Sequence, residues 1–254
     1  MLVILSYAIS ARWLFYFERP YYFMILLILL SVICDLGLNR VYKRESFLKN
    51  NVIPYSAIIT ALSCSLLIDA ASFTPYLLAV IFAISSKYIF SYEGRHYFNP
   101  ANFGIVLMLL LFPGDFNLAQ NIFASVIYVS VVFFVLGLVI SYMAGQIATS
   151  LFWILSFAFF ALFRTGFHME AYIAEISVLF SSSLLLFSFN MITDPSTSPK
   201  TAGGNFFFGF AIAAIDAICR VKFIPYGNFY ALFIVSSLMP ILRHRKTQEE
   251  IIKG

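Results

Sequence analysis

The sequence has few charged residues. Asp, Glu, Lys and Arg make up 11% of its 254 residues, whereas roughly a quarter of the residues in a soluble domain are charged. No polar stretch is long enough to fold alone, so we expect no soluble module. The expected organisation is a single transmembrane domain over residues 1–254 with a short basic tail at 243–254.

Cysteine is also scarce. Cys34, Cys64 and Cys219 lie inside apolar segments and form no Cys-x-x-Cys pair, which argues against a disulfide framework or a zinc site. No metal site is predicted, and no Ser-His-Asp or Cys-His arrangement predicts a catalytic residue. No soluble segment carries a basic patch interleaved with aromatic residues, so nucleic acid is not an expected partner. The expected surroundings are membrane lipid.

What the sequence has in abundance is long apolar runs. The chain is 61% hydrophobic with a mean hydropathy of +0.91. The runs are continuous rather than alternating, which favours membrane-spanning helices over a β-barrel. A helix needs about 20 apolar residues to cross a bilayer core of about 30 Å. The sequence therefore predicts an all-α, multi-pass membrane protein of about ten helices, some of them short or broken. The predicted segments are 2–17, 20–38, 52–72, 74–91, 99–113, 121–143, 147–164, 171–191, 204–221 and 226–242.

The fifth segment is short and is bounded by Asn99-Pro100 and Pro113-Gly114, so it is predicted to be a half-helix or re-entrant element. Basic residues set the orientation. Residues 39–51 and the C-terminal tail are both rich in Lys and Arg, and ten spans with both ends inside are consistent with that. On this topology two polar loops, at residues 87–104 and 190–201, face the same side of the membrane.

Those two loops, at residues 87–104 and 190–201, are the candidate functional site. Asn99-Pro100 and Asp194-Pro195 each place a side-chain acceptor before a proline, a pattern typical of a helix N-cap. Helix N-termini present free N–H groups that suit anionic or carbonyl-rich ligands. The alternative is that both are ordinary caps. The candidate cofactor-binding residues are Lys87, Arg95, His96, Asn99, Pro100, Asn102, Asp194, Thr197, Ser198 and Thr201.

The first loop is rich in aromatic residues, which are Tyr88, Tyr92, Tyr97, Phe98 and Phe103. Aromatic faces beside cations and amides are suited to a planar heteroaromatic ring whose reduced form a Lys or Arg stabilises. Aromatic residues at loop ends also form interfacial belts, so that reading stays open.

The motifs in these loops resemble a known family. Lys87, Gly94 and Phe98-Asn99-Pro100-Ala101 through Gly104 are followed by Thr193-Asp194-Pro195-Ser196-Thr197-Ser198-Pro199 and Gly209. This order is similar to NqrB, a membrane subunit of the sodium-pumping NADH:quinone oxidoreductase, and to RnfD, a membrane subunit of the Rnf ferredoxin:NAD oxidoreductase. The chain resembles a short, divergent member of that family.

The resemblance implies a ten-helix core related to urea and ammonium channels. It also implies a multi-pass inner-membrane subunit that binds FMN or riboflavin and transfers electrons, with other membrane or redox subunits as partners and cation translocation as a coupled process. The family attaches FMN to a Thr in a Ser-Gly-Ala-Thr-like motif. Here Gly145-Gln146-Ile147-Ala148-Thr149 keeps only Ala-Thr, so Thr149 is the candidate attachment residue and the flavin is expected to be non-covalent.

Acidic residues within apolar segments are the last candidates. Asp69, Glu175 and Asp216 are costly in a membrane and are candidate ion-handling residues. Snorkelling of these side chains to the interface is the alternative. These acids and the incomplete attachment motif favour a second function, a small-solute or vitamin transporter or channel on the same scaffold without redox activity. A third is an accessory protein whose loops bind only a partner.

Overall fold

The computed structural model describes residues 21–42, 54–70, 72–92, 94–114, 116–118 and 127–253. The predicted first segment, at 2–17, lies outside the described residues. So do residues 121–126 at the start of the predicted sixth segment.

The described chain is dominated by helices, which confirms the all-α prediction. The α-helices are α1 (Tyr21–Tyr42), α2 (Tyr55–Leu67), α3 (Thr74–Ile89), α4 (Pro100–Leu111), α5 (Ile127–Met143), α6 (Ile147–Arg164), α7 (Met169–Ser177), α8 (Ser182–Leu186), α9 (Ala202–Val221) and α10 (Gly227–Lys253). A 3-10 turn at Val178–Phe180 follows α7, and a π-helix at Phe187–Met191 follows α8. The predicted basic tail continues α10.

Two short antiparallel strand pairs join helices in the described part of the chain. β1 (Ile68–Ala70) pairs with β4 (Phe116–Leu118), with Asp69 opposite Asn117. β2 (Ser91–Tyr92) pairs with β3 (Arg95–His96) in a hairpin. The hairpin turn contains Gly94 at φ 75°, a backbone conformation that glycine adopts without strain.

Within the described residues, three helices are long and apolar enough to cross a membrane: α1 from Tyr22 to Tyr42, α6 and α9. The shorter apolar helices are Tyr55–Leu67, Thr74–Ile89, Pro100–Leu111, Ser130–Met143 and Gly227–Pro240. Large apolar side chains on the long helices are exposed, among them Ile33 at 65% and Phe207 at 70%. Such faces are expected to contact lipid, because the bilayer core is as apolar as the side chains.

The predicted segment at 171–191 is a broken helix, which agrees with the expectation that some of the helices are short or broken. The segment on either side of Ser181 bends by 65°. Ser181 has extended backbone (ψ 147°), and its Oγ accepts a hydrogen bond from the N–H of Leu184 at 3.4 Å. The serine therefore ends the first helical segment and caps the second.

The α3–α4 pair positions the first loop. α4 has 12 residues, which confirms that the fifth segment is short. At 1.5 Å per residue it is about 18 Å long, well below the bilayer core. Gly104 allows α4 to approach α3 closely, because a Cβ at this position would lie 2.3 Å from the carbonyl oxygen of Ala79.

Candidate cofactor site

The first loop is held in shape by a hairpin and a helix cap. β3 carries Arg95 and His96 toward the start of α4. Asn99 has extended backbone, and its Oδ1 accepts a hydrogen bond from the N–H of Asn102 at 3.0 Å. Pro100 occupies the first helical position, where its missing N–H has no consequence. The predicted N-cap at Asn99 is confirmed.

The second loop is a compact turn built around Asp194. Its Oδ1 accepts from the N–H of Ser196 at 2.9 Å, and its carbonyl oxygen accepts from the N–H of Thr197 and of Ser198. The Ser198 hydroxyl donates to the carbonyl of Ile192 at 2.6 Å. Asp194 was predicted to be a helix N-cap, but it stabilises this turn. The N-cap of the following helix, α9, is Thr201.

Thr201, the last residue of the second loop, is the N-cap of α9. Its Oγ1 accepts from the N–H of Gly204 at 3.2 Å. Lys200, Thr201 and Gly203 are exposed, and no atom of the described residues lies within 4 Å of a Cβ placed on Gly203. The N-terminus of α9 is therefore open to an approaching ligand.

The two loops meet, as the sequence predicts. His96 Nε2 lies 3.3 Å from Asp194 Oδ2, and Asn99 Nδ2 lies 3.5 Å from the same oxygen. Asn99 Nδ2 also donates to the carbonyl of Met191 at 3.3 Å, and the Arg95 guanidinium donates to the carbonyl of Pro195. The contacts join residues about one hundred positions apart and place both loops at one end of the helices.

The accessible part of this junction is narrow. The side chains of His96 and Asp194 are 17% and 16% exposed, and Arg95 is half-buried. Asn99, Pro100, Thr197 and Ser198 are buried and serve the loop structure. A ligand can therefore reach the side chains of Arg95, His96, Asp194, Lys200 and Thr201, and also that of the half-buried Tyr97.

Asn102 lies deeper, one turn into α4. Its side chain is 1% exposed, and its Nδ2 donates to the carbonyl of Phe229 at 3.2 Å. Its Oδ1 has no hydrogen-bond partner among the described residues. Asn102 thus links α4 to the start of α10.

Lys87 is occupied elsewhere. Its Nζ lies 2.6 Å from Asp35 Oδ1, and the Tyr88 hydroxyl lies 3.1 Å from the same oxygen. The Lys87 and Asp35 side chains are 12% and 7% exposed. Lys87 therefore ties α3 to α1, and within the described chain no hydrogen bond or ion pair brings it to the second loop.

Most aromatic residues of the first loop pack on one another. Phe98 and Phe103 are buried and their ring centroids are 5.2 Å apart; Phe98 also stacks on Phe233 of α10 at 4.9 Å. Tyr97 is the more accessible ring, lying 4.9 Å from Phe98. Burial raises the pKa of the Tyr97 phenol, so this hydroxyl stays protonated at neutral pH.

Thr149 lies at the start of α6 and is fully buried. Its hydroxyl donates to Gln146 Oε1 at 2.9 Å. Gln146 in turn lies against the second loop, with its Nε2 3.5 Å from the carbonyl of Pro199. Thr149 thus supports the second loop through Gln146.

Two of the three acids predicted to handle ions form an ion-pair cluster. Glu175 Oε2 accepts from Arg164 Nη2 at 2.8 Å and lies 3.8 Å from Arg220 Nη1. Arg220 Nε donates to Asp216 Oδ2 at 2.8 Å. Both guanidinium carbons lie over the Phe157 ring, at 5.2 and 4.9 Å from its centroid. Asp69 is exposed on β1, opposite Asn117 of β4.

The sequence prediction missed Asp35, Arg164 and Arg220. The i, i+4 spacing of Asp216 and Arg220 was the one local signal for this cluster. The π-helix was also missed, although it precedes the second loop. Its Ser188 accepts at Oγ from Trp153 Nε1 at 2.9 Å and at its carbonyl from Ser150 Oγ at 2.8 Å. These bonds hold the π-helix against α6.

A comparison with known families matches residues 116–252, more than half of the chain, to the NQR2, RnfD, RnfE family. The match includes the second loop and α5–α10. No curated protein is significantly similar to the chain. The chain belongs to the NQR2, RnfD, RnfE family, whose members are membrane subunits of electron-transport complexes.

Proposed function

We propose that this subunit binds FMN or riboflavin non-covalently where the two loops meet and passes electrons through it. The observation that carries the proposal is the contact of His96 and Asn99 with Asp194. It joins the two polar loops of a membrane protein into one partly accessible surface. Irregular backbone at membrane depth persists only where protein buries it or where it lines a cavity.

The accessible groups fit an anionic or carbonyl-rich cofactor. Lys200 and the exposed N–H groups at the start of α9 suit a phosphate, because a helix N-terminus carries a partial positive charge. Arg95 supplies a second cation on the facing loop. A bound flavin supplies electron transfer through its ring. Tyr97 and His96 are the ring systems of the first loop available to contact it.

Burial of Thr149 supports a non-covalent flavin. Its hydroxyl is 0% exposed and already donates to Gln146, so esterification would require the start of α6 to open. We place the cofactor outside this position. The role that we assign to Thr149 is structural: its hydroxyl orients Gln146, whose Nε2 contacts the carbonyl oxygen of Pro199.

The proposal extends to the setting of the subunit. We expect a multi-pass protein of the cell inner membrane that works with other redox subunits. Because Glu175 and Asp216 are engaged by arginines, we assign electron transfer to the paired loops and no cation-coupling step to these acids. The single transmembrane domain stays a prediction.

The direct test is an absorption spectrum of the detergent-purified full chain together with mass spectrometry of released small molecules. We expect flavin bands and free FMN or riboflavin after denaturation. A colourless protein without flavin by mass spectrometry refutes the proposal. Flavin that stays attached to the peptide containing Thr149 refutes the non-covalent form.

Matched variants locate the site. Arg95→Gln and Lys200→Gln should each lower the flavin content severalfold, since losing about 1.4 kcal/mol of binding free energy weakens affinity tenfold. Lys222→Gln, at the opposite end of α9, removes an exposed cation and should leave the flavin content unchanged. An equal loss in all three variants would show that net charge, rather than the paired loops, controls retention.

A further inference from the structure

A second polar site lies at the other end of α9. A cavity of about 620 Å³ is bounded by α5, the break between α7 and α8, the end of α9 and the start of α10. Its volume is typical of small-molecule pockets, which run from about 300 to 1,000 Å³. Polar lining groups come from Ser130, Ser181, Asp216, Arg220 and Asn228. Asp216 lies 14 residues along α9 from Ala202, about 21 Å away from the loop junction.

Two buried groups in this cavity lack partners among the described residues. Asp216 is 0% exposed and its Oδ2 is engaged by Arg220, but its Oδ1 has no hydrogen-bond partner. Asn228 is 5% exposed, and its Nδ2 is likewise unpartnered. Both residues line the cavity. Buried polar groups without partners are costly, so a ligand that offers a donor to Asp216 and an acceptor to Asn228 is stabilised here.

Gly227 leaves room for the buried Asp216 carboxylate, which any side chain at this position would crowd. A Cβ at this position would lie 2.9 Å from Asp216 Oδ1 and 2.5 Å from the Cβ of Cys219. Gly227 also begins α10, a helix of 27 residues, and lines the cavity with Asn228. The first N–H groups of a helix have no intrahelical acceptor, so this wall attracts negative charge. An acceptor on Asp216 and donors at the start of α10 therefore belong to residues that line the same cavity.

The charges at this site balance. Arg164 and Arg220 are matched by Glu175 and Asp216, all within one ion-pair cluster. A ligand with net charge of either sign would leave this balance uncompensated in a poorly solvated site. A zwitterionic ligand has no net charge. Its ammonium can donate a hydrogen bond to Asp216 Oδ1, and its anionic oxygen can accept from Asn228 Nδ2 and from the N–H groups at the start of α10.

The rim of the cavity is apolar. Val178 and Ile224 line it and are 38% and 45% exposed, and the neighbouring Phe223 is 93% exposed. In a membrane protein such side chains contact acyl chains or the interface. A ligand with a polar head inside the cavity and an apolar body along this rim satisfies both surfaces.

We propose that the cavity binds the headgroup of a zwitterionic membrane lipid carrying a primary ammonium and a phosphodiester. The assignment rests on two unpartnered buried groups of one cavity, Asp216 Oδ1 and Asn228 Nδ2, and on the exposed apolar side chains beside it. A trimethylammonium headgroup has the same charge but no N–H to donate to Asp216. The proposal is independent of flavin binding at the other end of α9.

Native mass spectrometry of delipidated full chain in maltoside detergent tests the proposal. The probes are short-chain phosphatidylethanolamine, phosphatidylcholine and phosphatidylglycerol, and soluble glycerophosphoethanolamine. We expect phosphatidylethanolamine to bind about tenfold more tightly than phosphatidylcholine, the ratio that one charge-assisted hydrogen bond of about 1.4 kcal/mol gives. Equal binding of these two lipids, or preference for phosphatidylglycerol, overturns the proposal. Glycerophosphoethanolamine binding as tightly as the lipid overturns the lipid as the source of the headgroup.

Two variants tie the preference to the cavity. Asp216→Asn should abolish the preference for phosphatidylethanolamine, and Asn228→Leu should weaken binding of both lipids because it removes the phosphate contact. Glu170→Gln removes an exposed carboxylate outside the cavity and should keep the wild-type ratio. A wild-type ratio in folded Asp216→Asn refutes the assignment. If Asp216→Asn does not fold, the affinities of the four probes for the wild type and for Asn228→Leu test the proposal.

Discussion

The ion pair between Lys87 and Asp35 gives the sharpest test of where Lys87 belongs. The sequence predicts Lys87 as a cofactor-binding residue, whereas the structure pairs its Nζ with Asp35 Oδ1 of α1 at 2.6 Å. Lys87→Met removes the charge and keeps most of the stem, so Asp35 is left in a site where it is 7% exposed. Removing one partner of a buried ion pair typically costs 3–5 kcal/mol.

We expect the lower end of that range, about 3 kcal/mol, because the Tyr88 hydroxyl still donates to Asp35 at 3.1 Å. This is about a hundredfold change in the unfolding equilibrium. Adding Asp35→Leu should restore most of the loss, since an apolar pair leaves no buried charge and Tyr88 keeps the Asp35 backbone carbonyl, 3.0 Å away, as an acceptor.

The assay is SDS-induced unfolding in maltoside micelles followed by circular dichroism, with the flavin content measured on the same samples. Lys222→Met removes an exposed lysine and serves as the control. Wild-type stability in Lys87→Met, or a double variant less stable than the single one, would refute the pairing argument. If Lys87→Met lost flavin but kept the wild-type stability, Lys87 would be a cofactor-binding residue after all.

Three further predictions use the same unfolding assay. Gly104→Ala should destabilise the protein strongly, because its Cβ would lie 2.3 Å from a carbonyl oxygen of α3; Gly203→Ala, which has open space, should be neutral or stabilising by up to about 1 kcal/mol. Trp153→Phe should lower the free energy of unfolding by about 1–3 kcal/mol, because it removes the donor to Ser188 Oγ. The same substitution should cost less in a Ser188→Ala background, where that hydrogen bond is already absent. Ser181→Ala should cost about 1 kcal/mol because α8 loses its N-cap, and a loss below a few tenths would contradict that role.

The meeting of the two loops could be predicted because local signals encode it. Proline after Asn99 and after Asp194 takes both residues out of the helical conformation. The ten predicted segments, oriented by the basic residues, then place both loops on one side of the membrane. The short α4 was visible for the same reason, since Pro100 and Pro113 bound it in the sequence.

The helix break and the ion pairs could not be predicted in this way. Hydropathy over 171–191 is continuous, so nothing separates Ser181 from the scattered serines of other spans. The Lys87–Asp35 pair joins residues 52 positions apart, and the Arg164–Glu175 pair depends on how α6 meets α7. Such contacts depend on how helices pack against one another. The residue pattern along a single helix does not predict that packing.

The geometry also separates two roles within the candidate cofactor site. Asp194 accepts from Ser196 at Oδ1 and faces His96 and Asn99 at Oδ2, so both carboxylate oxygens already have partners. Its main work is to fix the turn and to orient His96. α4 is about 18 Å long, shorter than a bilayer core of about 30 Å, and the backbone groups of a helix end inside a membrane need such internal partners. Asp194→Asn should therefore reduce flavin binding by loosening the loop junction, whereas Lys200→Gln should reduce it with the junction intact.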